Sequence, residues 1–119
     1  MIEEKDLTEI RTSILIGVTV SVGSLTLLFS SGAHLLIQCP FECDYLGHIS
    51  VGHGEKLATG PLLFECLNHV VENTEFDANL MLTVSFDGGR RVKIEPEASG
   101  LESYVLTTRF GICPVIASP

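Results

Sequence analysis

The sequence predicts an α+β fold that is mostly β, with two similar antiparallel β-hairpins or meanders in a sandwich or half-barrel and one helix over about residues 61–70. Three observations predict it. Apolar and polar residues alternate with a period of two through much of the chain. A hairpin-like segment occurs twice, 57 residues apart. One segment has the periodicity of an amphipathic helix. With 119 residues in total, we expect residues 1–119 to form a single domain.

The N-terminal part of the chain predicts a strand after a short charged segment. Residues 1–12 alternate charges with Ile2, Leu7 and Ile10, as a short helix or an edge segment does. Residues 13–29 include no charge, but a membrane-spanning helix needs about 20 mostly apolar residues. A signal peptide begins with a basic segment, whereas this N-terminus is acidic. The apolar residues instead alternate as in a half-buried strand: Ile14, Ile16, Val18, Val20 and Val22.

The repeated segment reads as a β-hairpin in both places. "LTLLFSSGAHLLI" (Leu25–Ile37) aligns without gaps with "LTVSFDGGRRVKI" (Leu82–Ile94). Ser-Gly and Asp-Gly-Gly supply the positive φ angles of a tight turn. Turn residues and alternation by themselves impose similarity on hairpins, so the alignment is consistent with internal pseudo-symmetry and with chance resemblance.

The two hairpins differ on their second face. In the first copy that face is apolar, with Leu15, Leu28 and Leu36, while the second copy is polar there. A sheet that is apolar on both faces needs a cover, which is either a helix or a partner subunit.

The remaining segments predict one helix and several short strands. Residues 40–60 are rich in turn residues and predict a loop with a short strand at 48–51. Pro61 suits a first helical turn and Thr59 a cap. Helical spacing follows in Leu63, Cys66, Leu67, Val70 and Val71, although a strand is also consistent with the segment from 70 to 76. After the second hairpin, residues 102–110 and 112–117 alternate as strands.

Two cysteines and two histidines suggest a metal site, but their spacing in the sequence argues against it. Cys39, Cys43, His48 and His53 are spaced as Cys-x3-Cys-x4-His-x4-His, and such donors bind zinc when a loop brings them together. The first spacing differs from the usual Cys-x2-Cys, however, and Cys39 falls on the core side of a strand. No motif marks an activated nucleophile. We therefore predict no catalytic residue, no metal and no cofactor, and a protein that is not an enzyme.

The acidic charge is concentrated in one segment. The chain has a formal net charge of −8, of which −6 lies in residues 42–77. Such a protein is repelled by nucleic acid and by anionic membranes and is attracted to basic partners. Within the segment, the carboxylates expected to project from loops or element ends, and so to contact a partner, are Asp44, Glu72, Glu75 and Asp77.

Two segments resemble the immunity proteins of bacterial contact-dependent growth inhibition and other polymorphic toxin systems. They are "VTVSVGSLTLLFSSGAHLLIQCPFE" and "LTVSFDGGRRVKIEP". In the resembling families an aromatic-rich strand and a short final strand follow, and here "LESYVLTTRFGICPVI" takes that place without a tryptophan. The resemblance covers about residues 14–116 and includes no catalytic residue.

This resemblance implies a function in the bacterial cytoplasm. The protein would bind the C-terminal domain of a cognate toxin and neutralise it by occluding its active or substrate-binding surface. A basic nuclease domain, such as a ribonuclease or DNase, is the expected partner because such enzymes must hold phosphates. Two alternatives stay open. One is an interaction module that forms a homodimer through the apolar first hairpin, and the other is a small ligand-binding or hydrolytic domain.

Overall fold

The regular structure consists of ten strands and two short helices, and the computed structural model describes all 119 residues. The helices are α1 (Glu4–Ile10) and α2 (Pro61–Phe64), and neither is long and apolar enough to cross a membrane. The strands are β1 (Leu15–Ser21), β2 (Ser24–Phe29), β3 (His34–Ile37), β4 (Pro40–Tyr45), β5 (His48–His53), β6 (Val71–Phe76), β7 (Leu82–Phe86), β8 (Arg90–Ile94), β9 (Glu102–Thr108) and β10 (Gly111–Ile116).

The strands form two antiparallel sheets of five strands each. The first sheet has the order β1-β2-β3-β9-β10, and the second sheet has the order β5-β4-β8-β7-β6. Alternate side chains of both sheets point inward and contribute to one cluster of 24 buried hydrophobic residues. The predicted fold class, α+β and mostly β, is therefore confirmed, and the architecture is a sandwich of two open sheets.

The chain crosses between the sheets twice. After β3 it enters the second sheet, where β4 pairs with β8. After β8 it returns to the first sheet, where β9 pairs with β3. Each half of the chain thus contributes a three-stranded meander to one sheet and a hairpin to the other.

The two predicted hairpins have the same register. In β2–β3, Leu25 lies opposite Ile37, and in β7–β8, Leu82 lies opposite Ile94. All four residue pairs of the first hairpin recur 57 residues later in the second. Both turns also use a glycine at the same place with positive φ, 95° in one turn and 80° in the other. The prediction of two similar hairpins is confirmed.

The similarity extends beyond the hairpins to both halves of the chain. Strands β1 and β6 each contain a register shift at the corresponding position. Thr12 and Asn68, at equivalent positions before these strands, have φ angles of 67° and 68°. The residue pairs that join one hairpin to the next, Phe41–Ile94 and Tyr104–Ile37, are equivalent as well.

A pseudo-two-fold axis passes between the equivalent residues Ile14 and Val70, which pair with each other in an isolated bridge. The backbone hydrogen bonds around this bridge are reciprocal. The Thr12 amide donates to the Val71 carbonyl, and the Asn68 amide donates to the Leu15 carbonyl, both at 2.8 Å. The sandwich is therefore built from two structurally equivalent halves of one chain.

The predicted helix at residues 61–70 is wrong in extent, because α2 ends at Phe64. The following turns have i→i−3 bonds, from the Cys66 amide to Leu63 and from the Leu67 amide to Phe64. Asn68 then adopts positive φ, and the chain joins β1 at the pseudo-two-fold axis. Leu63 and Cys66 are buried as a helix predicts, but the next apolar residues belong to the sheet.

Two other segments are settled by the structure. The charged N-terminal segment forms α1, which packs against β6 through a hydrogen bond from the Thr74 hydroxyl to the Leu7 carbonyl. The predicted loop at residues 40–60 instead contains the full hairpin β4–β5. Its turn residues mark the ends of two strands, and its charged residues lie on their solvent side.

Candidate functional site

Three of the four predicted contact residues lie together. Glu72 and Glu75 belong to β6, an edge strand of the second sheet, and Asp77 directly follows it. All three are exposed, and β6 contains no lysine or arginine. We call these three residues the acidic edge. Asp44 lies on β4, three strands away, or about 14 Å at the usual spacing between strands.

None of the four carboxylates forms a close ion pair, although Arg91 on β8 lies opposite Asp44. Two of them hold turns instead. Asp77 Oδ1 accepts hydrogen bonds from the amides of Asn79 at 2.8 Å and Met81 at 3.1 Å. Asp44 Oδ1 accepts one from the Gly47 amide at 2.8 Å. These bonds fix two carboxylates while leaving their charge available to a partner.

The outward surface of the second sheet alternates acidic, basic and neutral side chains across its strands. One row contains Val51, Glu42, Lys93, Thr83 and Glu75, and the next contains Ile49, Asp44, Arg91, Ser85 and Asn73. A groove of about 410 Å³ runs along this surface between the acidic edge and the two cations Arg91 and Lys93. The predicted acidic surface is therefore a mixed one, most negative at its β6 margin.

The expected loop at residues 40–60 is wrong for Glu42 and Asp44, whereas Glu72 and Glu75 lie on the strand that the sequence allows at residues 70–76. Glu42 and Asp44 lie on β4, while Glu72 and Glu75 lie on β6. They point away from the core because the alternate positions of the same strands, such as Phe41 and Thr74, point into it. The sequence signal that marks them is the alternation of charged and buried residues.

The pseudo-symmetry supplies an internal comparison for this surface. The first-sheet residues Val105, Thr107 and Thr19 have the same strand positions as Glu42, Asp44 and Glu75. Strands at those positions form and pair without any charge. The carboxylates of the second sheet are therefore not a requirement of the fold.

The cysteine and histidine residues that suggested zinc do not converge. Cys39 and Cys43 are four residues apart on an extended segment, or about 13 Å. His48 and His53 lie at opposite ends of β5. Burial raises the pKa of Cys39 and of Cys43 to about 12, which keeps both thiols protonated at neutral pH and makes them weak ligands and nucleophiles.

A different group of possible metal ligands consists of His53, Glu55 and Glu97. The Glu55 amide donates to His53 Nδ1 at 3.1 Å, so the proton of the neutral imidazole is on Nε2. Nε2 lies 3.5 Å from Glu97 Oε1 and 4.0 Å from Glu55 Oε1. The geometry is that of a histidine at the end of β5 in contact with two exposed carboxylates.

The largest cavity, of about 700 Å³, lies beside α1 and is lined mainly by polar residues. Its arginines are already paired with carboxylates. Arg109 Nε contacts Glu9 Oε1 at 2.7 Å, and Arg11 pairs with Glu4. The cavity is therefore close to neutral and has no concentrated charge with which to select an ionic ligand.

Comparison with known protein families, with curated proteins and with solved structures found no match for this chain.

Proposed function

We propose that this protein is an immunity-type inhibitor, which binds a basic toxin domain through the acidic edge and the adjoining surface of the second sheet. Binding would cover the active or substrate-binding surface of the toxin, and the protein itself would carry out no chemistry. The proposed site of action is the cytoplasm, where a toxin that cuts RNA or DNA meets its substrate.

The observation that carries this proposal is the difference between equivalent positions of the two sheets. The second sheet has carboxylates at three positions where the first sheet has uncharged residues, although both sheets have the same register. These carboxylates belong to Glu42, Asp44 and Glu75. Charge that the fold does not need, on the solvent side of the sheet and outside any ion pair, is available for a partner. Carboxylates on an edge strand also discourage aggregation, and this is the simpler role that the experiment must exclude.

The chemistry of the partner follows from the charge. With a net charge of −8, the protein repels nucleic acid and attracts a cationic surface, which raises the association rate at low salt. An interface of standard size covers about 800 Å² per partner. It is wide enough to include both the acidic edge and Asp44. A tight inhibitor of this type binds in the nanomolar range or below, or about −12 kcal/mol.

The test is co-purification with the C-terminal domain encoded immediately upstream, in which the acidic edge is neutralised by E72Q/E75Q/D77N. We expect the wild-type protein to form a stoichiometric complex and the variant to bind at least about 100-fold more weakly, since removing charges from an interface costs several kcal/mol in total. Protection of the toxin's substrate from cleavage should be lost in parallel.

A matched control is E55Q/E97Q/E102Q, which removes the same charge near β5, the opposite edge of the second sheet. This variant should bind like the wild-type protein. If both triple variants weakened binding equally, the net charge of the protein, and not the position of the carboxylates, would determine binding. A wild-type protein that forms no complex at micromolar concentration would contradict the proposed function.

A further inference from the structure

The outward face of the first sheet is nearly free of charge. Its five strands contain a single ionised side chain, Glu102, at the first position of β9. The centre of this face is made by Leu28, Leu36 and Val105, and its β10 margin by Ile112 and Pro114. We call these five residues, with the neighbouring His34, the first-sheet face.

The second sheet shows that this composition is not imposed by the fold. Leu36 pairs with Val105 across β3 and β9, and the equivalent pair across β8 and β4 is Lys93 with Glu42. The next pair, His34 with Thr107, corresponds to Arg91 with Asp44. The same backbone thus accepts cross-strand neighbours of opposite charge on one side and has none on the other.

Nothing within the chain covers the first-sheet face. Ile112 is 73% exposed and Leu28 is 36% exposed, although both are large and apolar. In their cross-strand row Thr107 and His34 lie between them, whereas Leu36, Val105 and Pro114 are direct neighbours in the next row. Apolar side chains at neighbouring positions on the outer face of a sheet mark a contact surface, whereas single exposed ones are ordinary. Removing such a face from water is favourable in proportion to the apolar area that is covered.

We propose that the first-sheet face binds the same face of a second copy of this chain, forming a face-to-face homodimer. The inference does not depend on toxin binding, because it concerns the opposite side of the sandwich. The acidic edge of each copy would remain accessible in the dimer.

The distribution of charge favours a second copy as the occupant. Two chains of net charge −8 repel each other, and contact through the second sheet would bring their carboxylates together. In a face-to-face dimer the two outer acidic surfaces are separated by about three sheet spacings, or roughly 30 Å. The Debye length at physiological ionic strength is about 8 Å, so the repulsion between those surfaces is largely screened.

The size of the face is sufficient for a modest dimer. Five strands span about 24 Å, and six residues of strand extend about 20 Å, so the flat footprint is roughly 480 Å² on each copy. Side-chain relief makes the buried accessible area larger than this footprint. The interface therefore falls at the small end of the standard range, for which micromolar dissociation constants are expected.

The dimer is tested by replacing one central residue pair of the first-sheet face with the residue types found at the equivalent positions of the second sheet. L36K/V105E places on the first sheet the residue types that already form the Lys93–Glu42 pair on the second, and it leaves the net charge unchanged. The control E42K/K93E reverses the pair on the second sheet and also preserves net charge. I112K is a further test, because this exposed edge position tolerates a lysine without affecting the core.

The measurement is sedimentation equilibrium between about 1 and 500 µM. Wild-type protein and E42K/K93E should move from the 12.9 kDa monomer toward twice that mass. L36K/V105E and I112K should raise the dimer dissociation constant at least tenfold while unfolding in urea as cooperatively as the wild type.

Three results would overturn the proposal. The first is a wild-type protein that stays monomeric across the whole concentration range. The second is a dimer that both first-sheet variants leave unchanged, since it would use another surface. The third is a monomer that binds phosphatidylcholine vesicles through Ile112, which would assign the face to lipid.

Discussion

Asp6 is a buried carboxylate that connects the N-terminal helix to the last two strands. Its side chain accepts hydrogen bonds from the Thr108 hydroxyl at 2.6 Å and from the Glu3 amide at 2.9 Å, and it lies near the Cys113 thiol. Burial raises the pKa of Asp6, but these hydrogen bonds outweigh burial and hold the pKa below its usual 3.8. Asp6 is only 2% exposed and has these hydrogen-bond donors, so its ionised form stabilises the fold.

Replacing Asp6 should therefore destabilise the protein in a pH-dependent way. D6N should lower the free energy of unfolding at pH 7 by about 2 kcal/mol, the usual size for hydrogen bonds to a charged group. Because the folded pKa is depressed, the wild-type advantage is present above pH 4 and is lost as the pH falls through the folded pKa. Urea unfolding between pH 3 and 7 measures this difference.

The exposed neighbour Glu3 provides the control for that experiment. E3Q keeps the backbone amide that donates to Asp6 and a side-chain oxygen for the helix cap, and it removes only the exposed ion pair with Lys5. Its stability should therefore stay within about 1 kcal/mol of the wild type at every pH. A D6N protein as stable as the wild type at pH 7 would show that the Asp6 hydrogen bonds contribute nothing.

Strand β5 shows how a single element depends on its cross-strand neighbour. Gly52 lies opposite Phe41, and a Cβ added at Gly52 would be 2.3 Å from the end of the Phe41 ring. The equivalent pair in the other half is Val115 opposite Tyr104, so the two halves fill the same space differently. In β5 the aromatic ring takes the volume that a side chain would occupy.

Gly52→Ala should thus destabilise the protein by about 1–3 kcal/mol, the usual cost of forcing extra volume into a packed core. Thermal unfolding followed by circular dichroism measures the loss. Ser50→Ala, half-buried on the same face of β5, adds no volume and should change stability by less than about 1 kcal/mol. Equal effects of the two substitutions would contradict the packing of Gly52 against Phe41.

The elements that could be predicted from the sequence are those in which local pattern and long-range pairing agree. The alternation of Leu25–Ile37 and Leu82–Ile94 predicts both hairpins because a short turn joins the two strands of each, which then pair with each other. The helix at 61–70 was predicted too long, because the spacing of Leu63, Cys66 and Val70 suits a helix as well as a turn followed by a strand. Hydrogen bonds to β1, which is distant in sequence, decide between the two structures.

At the scale of the whole molecule, the pseudo-symmetry was only half visible in the sequence. The hairpins keep similar residues, whereas α1 and the α2 segment keep little beyond the buried pair Leu7 and Leu63. The site could be predicted only in part for a related reason. The acidic segment is apparent from composition, but whether Asp44 lies near Glu75 depends on the strand order β4-β8-β7-β6.

The outer surfaces of the two sheets differ in charge, although the backbones of the two sheets are equivalent. The second sheet presents carboxylates and cations, and the first sheet presents apolar residues, threonines and one histidine at equivalent positions. A protein with these two sides is suited to bind a charged partner on one and an uncharged surface on the other. We propose that the charged side recognises a basic toxin domain.

The most direct test of that claim is the association rate constant for the toxin domain encoded upstream, measured by stopped-flow fluorescence at 50 and 500 mM NaCl. We predict that the wild-type rate constant falls at least tenfold at high salt, because charge steers the encounter and salt screens it. The E72Q/E75Q/D77N variant should be slower at low salt and change little. A fast wild-type rate that is insensitive to salt, or the absence of binding, would contradict the account.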